Sequence, residues 1–204
     1  MNKLINCAVI LSIAAFTGLS GCQPQQPVTS TAAPTLSVES NEQAQPATKI
    51  ETIQVDYAGF EEQLKKLKGK FIVVDVWSTG CPPCMKEYPN LVALSRRWPD
   101  EVVCVSYNVD YIGQKSKPVE SYLPKVGGFL EEQKSTTVIN LISSEADSDV
   151  FEKLEIASIP VVLLFDQEGK LVKKFTEANG GEDGLTYEGD IIPALEAAQA
   201  LVRK

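Results

Sequence analysis

Apolar and polar positions along this chain fall into three zones. A short apolar run, Ala8–Phe16, lies near the start, and residues 23–49 hold almost no large apolar side chain. From about Ile50 onward, apolar runs of strand length alternate with apolar residues at helical spacing. Thr52–Val55 is a candidate first strand. Phe60, Leu64 and Leu67 then mark one face of a helix, with Glu61–Lys65 and Glu62–Lys66 as i,i+4 pairs on its wet face and Gly69 as its stop. Phe71–Trp77 (FIVVDVW) is almost continuously apolar, as a central strand covered on both sides must be. The next helix turns Leu91 and Leu94 inward, and Pro89 should kink it. Val102–Asp110 reads as another buried strand. Lys117–Gln133 has helical character that Pro124 and Gly127-Gly128 should break, and Thr136–Ile142 looks like a strand. Val150, Phe151 and Leu154 suggest a short helix. Val161–Phe165, the turn Asp166–Gly169 and Leu171–Phe175 form the clearest hairpin. A glycine-rich loop at 179–184 leads to a last helix from about Asp190, with Pro193 tolerated in its first turn and Ile191, Leu195, Ala198 and Val202 on its apolar face. Strands alternating with helices predict an α/β domain, a central sheet with helices on both faces.

The first two zones change the picture of where the domain sits. Residues 1–21 pair Lys3 with an apolar run too short to span a bilayer, followed by small residues, which is the pattern of an export signal. Residues 22–49, rich in Gln, Pro, Ser, Thr and Ala, cannot bury a core and should form a disordered tether reaching on the order of 30 Å. Residues 50–204 suffice for one domain with a substantial core. The formal net charge of −8 favours solubility and disfavours nucleic acid or anionic lipid as a partner. A monomer is expected.

The candidate chemistry lies in Trp77-Ser-Thr-Gly-Cys-Pro-Pro-Cys84, where the apolar strand ends and a helix should begin. Two cysteines one helical turn apart suit thiol-disulfide exchange: one thiolate attacks, and the second thiol reaches back to release the mixed disulfide. Cys81, at the helix start, is the expected attacker, because unpaired N–H groups and the helix dipole favour a thiolate there. Cys84 is the expected resolver and the more buried of the two. Zinc is the structural alternative for the pair, but the chain has no histidine and only Cys104 could add a ligand, so no metal and no cofactor is expected. Cys104 itself reads as a small core residue, and Tyr88, Trp98 and Tyr107 as core or rim.

The segment LKGKFIVVDVWSTGCPPCMKEYPNL, with SIPVVLLFDQEGKLVKKF some way downstream, resembles the thioredoxin superfamily, and within it the membrane-anchored TlpA/ResA-like thiol-disulfide oxidoreductases. The resemblance covers residues 52–204 and is strongest at 69–110 and 155–176. It implies a thioredoxin-like fold with a mixed β-sheet, and a cis bond before Pro160, where a trans turn is the alternative. It also implies that the backbone of Ile159 pairs with an extended substrate segment, with Trp77 and Gly80 on the same substrate side. Asp75 matches the family's buried acid, able to take a proton from Cys84; a solvent-facing strand-end Asp is the alternative. Glu87 matches an acidic residue of the ResA-like subgroup that could shape cysteine acidity or meet substrate, although an exposed first-turn Glu would also suit the helix dipole. Leu19-Ser20-Gly21-Cys22 resembles a lipobox, which implies cleavage before Cys22 and its lipidation, against the alternative of ordinary secretory cleavage.

The chain departs from the family pattern at three places. Gly80 stands where a tryptophan is common, Ser106 stands where thioredoxins proper carry a lysine near the buried acid, and Pro82-Pro83 offers no N–H to Cys81, leaving Cys84 as the nearest donor. With no basic residue between the cysteines, thiolate stabilisation should be modest, which favours a reductase over a disulfide-forming oxidase. The resemblance implies a bacterial protein held by a lipid anchor outside the cytoplasm, facing the periplasm. Its electrons would come from a membrane dithiol donor and go to disulfides of exported proteins, apocytochrome c among the candidates. A redox-silent binding module on the same fold is the competing class, while copper delivery lacks a histidine ligand and peroxidase chemistry lacks a recognisable peroxidatic cysteine.

Overall fold

The computed structural model describes residues 50–181 and 184–203; the expected export signal, Cys22 and the expected tether lie outside them. Among the described residues the domain is built on one sheet of six strands in the order β1-β4-β3-β2-β5-β6. These are β1 Thr52–Val55, β2 Phe71–Trp77, β3 Val102–Asn108, β4 Ile139–Ser143, β5 Val161–Phe165 and β6 Leu171–Thr176. The first four strands of that order run parallel, and β5 and β6 join antiparallel. The predicted α/β class and mixed sheet are therefore present. Among the described residues five α-helices cover the sheet: α1 Tyr57–Lys66, α2 Pro82–Arg97, α3 Leu123–Glu132, α4 Asp147–Leu154 and α5 Ile192–Val202.

Alternation along the strands divides the core in two. Phe71, Val73 and Trp77 of β2, with Val102 and Cys104 of β3, face α2, α3 and α5, whose Leu91, Leu94, Val126, Leu130, Ile192 and Leu195 are buried against them. The intervening residues Ile72, Val74, Val76, Val105 and Tyr107 face α1 and α4 through Phe60, Val150 and Leu154. Every residue of β2 is buried, as its unbroken apolar run requires of a central strand.

Local signals explain most boundaries. Asp56 caps α1 by accepting from the Gly59 N–H at 2.8 Å, and Gly69 adopts the left-handed backbone (φ 98°) that turns the chain into β2. The expected break within 117–133 occurs ahead of the helix instead: a single 3-10 turn, Val119–Ser121, precedes α3, Pro124 falls in its first turn, and Gly127-Gly128 continue it without interruption. Val126, Phe129 and Leu130 hold that helix to the sheet, and their burial outweighs the low helix propensity of two glycines. β4 starts at Ile139 rather than Thr136, because the Ser135–Val138 stretch wraps around the Asn140 side chain. A π-helical turn, Tyr187–Ile191, leads into α5, and Val202 is 59% exposed, so the apolar face of that helix ends one turn earlier than its spacing suggests.

Candidate active site

β2 delivers the chain to its C-terminal end at Trp77, and Ser78-Thr79-Gly80 turn it into α2. Cys81 is the N-cap of that helix, with Pro82 and Pro83 in the first turn, where a missing N–H costs no intrahelical bond. Cys81 and Cys84 form a disulfide with Cα atoms 5.3 Å apart. The Cys84 N–H donates to Cys81 Sγ at 3.3 Å, the one donor that the double proline leaves inside the motif. Cys84 is the more buried, 1% exposed against 7% for Cys81, which lies at the surface end of the pair.

The turn before Cys81 is anchored from β3. Asp110, just past that strand, accepts the Thr79 N–H at 2.6 Å, the Thr79 hydroxyl and the Asn108 amide at 3.0 Å. Lys125 of α3 donates to the Thr79 carbonyl at 3.3 Å. Sequence patterns placed Asp110 only at a strand end; its pairing with Thr79, 31 residues away, has no local signature.

The Ile159–Pro160 bond is cis. Val161 pairs with Val76, so the antiparallel register brings Pro160 level with the end of β2 from which Cys81 departs. Ile159 is half-buried and packs against both halves of the core. Gly80 is exposed, and a Cβ there would meet only Ser78 Oγ at 3.5 Å, so space does not require glycine; a larger side chain would fit over the turn. Trp77 departs from its expected substrate side. It is fully buried, tilted against Tyr88 and Phe129 with ring centroids 4.9 and 5.0 Å away, and its indole N–H donates to Ser106 Oγ at 2.6 Å. As the last residue on the inner face of β2, it fills the core beneath the disulfide, and the parallel register with β3 supplies its acceptor.

Asp75 is 2% exposed, which removes the solvent-facing alternative. Burial pushes its carboxyl up to about 7; a hydrogen bond from Tyr187 works against that rise and the nearby Glu87 charge adds to it. The Tyr187 hydroxyl donates to Asp75 Oδ2 at 2.7 Å, and Oδ1 is buried without a hydrogen-bond partner among the described residues. Ser106 does lie opposite Asp75 in the parallel register, but its hydroxyl serves Trp77. Glu87 is half-buried in the second turn of α2, not exposed in the first; its Oε2 accepts from Asn90 at 3.0 Å and from the Tyr187 N–H at 3.2 Å. Cys104, two residues before Ser106 on the same strand, is a buried free thiol whose pKa burial raises further. Tyr88 and Tyr107 are core residues, and Trp98 is a half-buried rim residue under the Arg97 guanidinium. Tyr187 was invisible to sequence patterns: it follows a glycine-rich loop and meets Asp75 across 112 residues.

Known proteins share both the sequence pattern and the fold. A family model described as Redoxin matches residues 39–190. The thiol-disulfide oxidoreductase ResA of Bacillus subtilis is 27% identical over 123 residues, which cover 59% of this chain and 61% of that protein. The chain thus spans about three fifths of that relative's length. ResA of Bacillus cereus is 27% identical over 144 residues, covering 69% of this chain and 75% of its own. Among solved structures, the exposed lipoprotein thioredoxin of Streptococcus pneumoniae superposes with a TM-score of 0.50 at 20% identity, covering 66% of this chain and 89% of that one, a likeness of fold.

Proposed function

This chain belongs to the Redoxin family, within the thioredoxin superfamily and with ResA-type relatives, and from that membership we propose that it is a thiol-disulfide oxidoreductase. The observation that carries the reading is the Cys81–Cys84 disulfide, closed at the N-terminus of α2 with the attacking sulfur outermost and a buried acid of raised pKa in the adjoining strand. In the reduced protein, the Cys81 thiolate, favoured by the helix N-terminus and the Cys84 N–H, attacks a substrate disulfide. Cys84 then attacks Cys81 Sγ and releases the reduced substrate, with Asp75 taking the Cys84 proton. Ile159 and the cis Pro160 present backbone to an extended substrate segment beside Gly80 and the exposed Pro82 and Pro83. Glu87 acts from beneath, through Tyr187, rather than on substrate.

The net direction is reduction. Neither proline between the cysteines can stabilise the thiolate as a basic residue would, which supports a pair closer to thioredoxin than to a strong oxidant. The domain follows a lipidated Cys22 and a tether, 22–49, that keep it at a bacterial membrane outside the cytoplasm; the signal pattern of residues 1–21 supports this, and the fold neighbour in Streptococcus pneumoniae is itself described as a lipoprotein. A membrane dithiol recharges it, and disulfides of exported proteins, apocytochrome c among them, are its substrates.

Titrating the pair in defined thiol buffers tests this. A potential near the roughly −270 mV of thioredoxin supports the reductase; one near the roughly −120 mV of a strong oxidant reverses the direction. A pair that does not titrate leaves a redox-silent binding module. Trapping with Cys84→Ser supplies the partners: substrate should accumulate on Cys81 as a mixed disulfide.

A further inference from the structure

A carboxyl that takes a proton from a buried thiol and later gives it up needs one oxygen open and a pKa within reach of neutral pH. The groups around Asp75 come from three directions. Glu87 and Tyr88 approach from α2, which also carries Cys84; Ser106 and Cys104 come from β3; Tyr187 comes from the π-helical turn ahead of α5. Among the described residues no lysine or arginine acts on Asp75. The cation that its burial would ordinarily call for is replaced by a neutral donor.

We propose, resting on the oxidoreductase reading above, that Tyr187 is the positioning residue of the proton-handling carboxyl: its hydroxyl fixes Asp75 Oδ2 and leaves Oδ1 to receive the Cys84 proton. Tyr187 is 1% exposed, and burial beside Asp75 raises its own pKa well above the usual phenol value, so it remains a donor throughout. A donor committed to Oδ2 favours Oδ1 for any proton on the carboxyl, because a carbonyl oxygen accepts better than a hydroxyl, and Oδ1 is the oxygen that has no partner among the described residues. The bond survives both states, because Oδ2 accepts as a carboxylate oxygen and, more weakly, as the carbonyl oxygen of the acid. In the resolving step Cys84 Sγ–H gives its proton to Oδ1 and its electron pair to Cys81 Sγ. The bond between Cys81 and the substrate sulfur breaks, and the substrate leaves as a thiolate that is protonated by water. Two electrons pass from the cysteine pair to the substrate disulfide.

Glu87 completes the device. Its carboxylate holds the backbone N–H of Tyr187, a link across 100 residues that seats the phenol over Asp75, while its charge opposes ionisation of the same group. Tyr187 and Glu87 therefore push the Asp75 pKa in opposite directions from one connected structure.

The test is single-turnover reduction of dithiobis-nitrobenzoate by the reduced protein, followed from pH 5 to 10. The first yellow thiolate reports attack by Cys81 and the second reports resolution by Cys84. In the wild type the second phase should accelerate with a midpoint near 7, the Asp75 value. Tyr187→Phe removes a donor to the charged form, so this midpoint should rise by about one pH unit, slowing resolution at pH 7 about fivefold while the first phase keeps its rate. Glu87→Gln still accepts the Tyr187 N–H but lacks the charge, so its midpoint should move down. Asp75→Asn should erase the midpoint, and adding Tyr187→Phe to it should change nothing further. A Tyr187→Phe protein that melts as the wild type does and keeps the wild-type midpoint, while Asp75→Asn loses it, overturns the role of Tyr187 and leaves the oxidoreductase intact. A wild type that releases no second thiolate overturns both.

Discussion

The two faces of the sheet are made by alternate residues of the same strands, yet they are chemically different. Apart from Ser143 at the end of β4 and Tyr107, the face toward α1 and α4 is apolar, and the Tyr107 ring stacks on Phe60 with centroids 4.3 Å apart. The face toward α2, α3 and α5 carries a polar row straight across its middle, Asp75, Ser106 and Asn140 being partners in register on three adjacent strands. Each member is served differently. Asn140 is saturated by Tyr88, Ser135 and backbone carbonyls, Ser106 is held by Trp77, and Asp75 keeps one oxygen free of any partner among the described residues. A buried polar group normally destabilises unless it is bonded. The unsatisfied member of this row lies two residues before Trp77 and six before Cys81, where the proposed proton transfer needs an open acceptor.

This contrast can be broken most severely at the sulfurs. Cys81→Ser and Cys84→Ser should each lower turnover of a protein disulfide by several orders of magnitude, with Cys84→Ser alone accumulating mixed disulfide on non-reducing gels. On the opposite face, Phe60→Ala should cost about 3–5 kcal/mol in urea unfolding while leaving the Cys81/Cys84 potential unchanged, because that layer carries packing and no chemistry.

Asp75→Asn sharpens the comparison through pH. In the unfolded chain Asp75 loses its proton near its ordinary value of 3.8, whereas in the folded protein it keeps it until about 7. Between those values the folded state binds more protons, so stability should fall as pH rises from about 4 to 7, by at most about 4 kcal/mol. Urea melts across that range should show the decline in the wild type and a flat profile in Asp75→Asn. Tyr88→Phe should cost about 1–2 kcal/mol, since Asn140 Oδ1 keeps only Ser135 as donor among the described residues. Tyr107→Phe should be smallest, within about 0.5 kcal/mol of wild type in the same melts, because its buried hydroxyl has no hydrogen-bond partner to lose among the described residues.

Element order was legible wherever pattern and local chemistry agree. FIVVDVW can only be a doubly covered strand, the hairpin at 161–175 is bounded by its own turn, and Phe60, Leu64 and Leu67 describe a helix face. Prolines and glycines misled where tertiary packing overrode propensity, as in α3, whose two glycines share the helix with a well-anchored apolar stripe. Trp77 misled for the opposite reason. Its neighbours mark it as part of the redox loop, but strand alternation, counted back through Asp75 and Val73, points its side chain into the core.

What linear order alone decided is the reacting pair. Two cysteines separated by two prolines at a strand-to-helix junction put one sulfur on the cap and the other a turn inside, because the spacing of a helical turn is a local property of the backbone. The environment that makes the pair useful is non-local. Thr79 meets Asp110, Glu87 meets the backbone of Tyr187, and Tyr187 meets Asp75 through contacts that span 31, 100 and 112 residues. The proposed proton-handling site depends on the few ångströms around one buried oxygen, and those are set by which distant segments the sheet and its covering helices bring together.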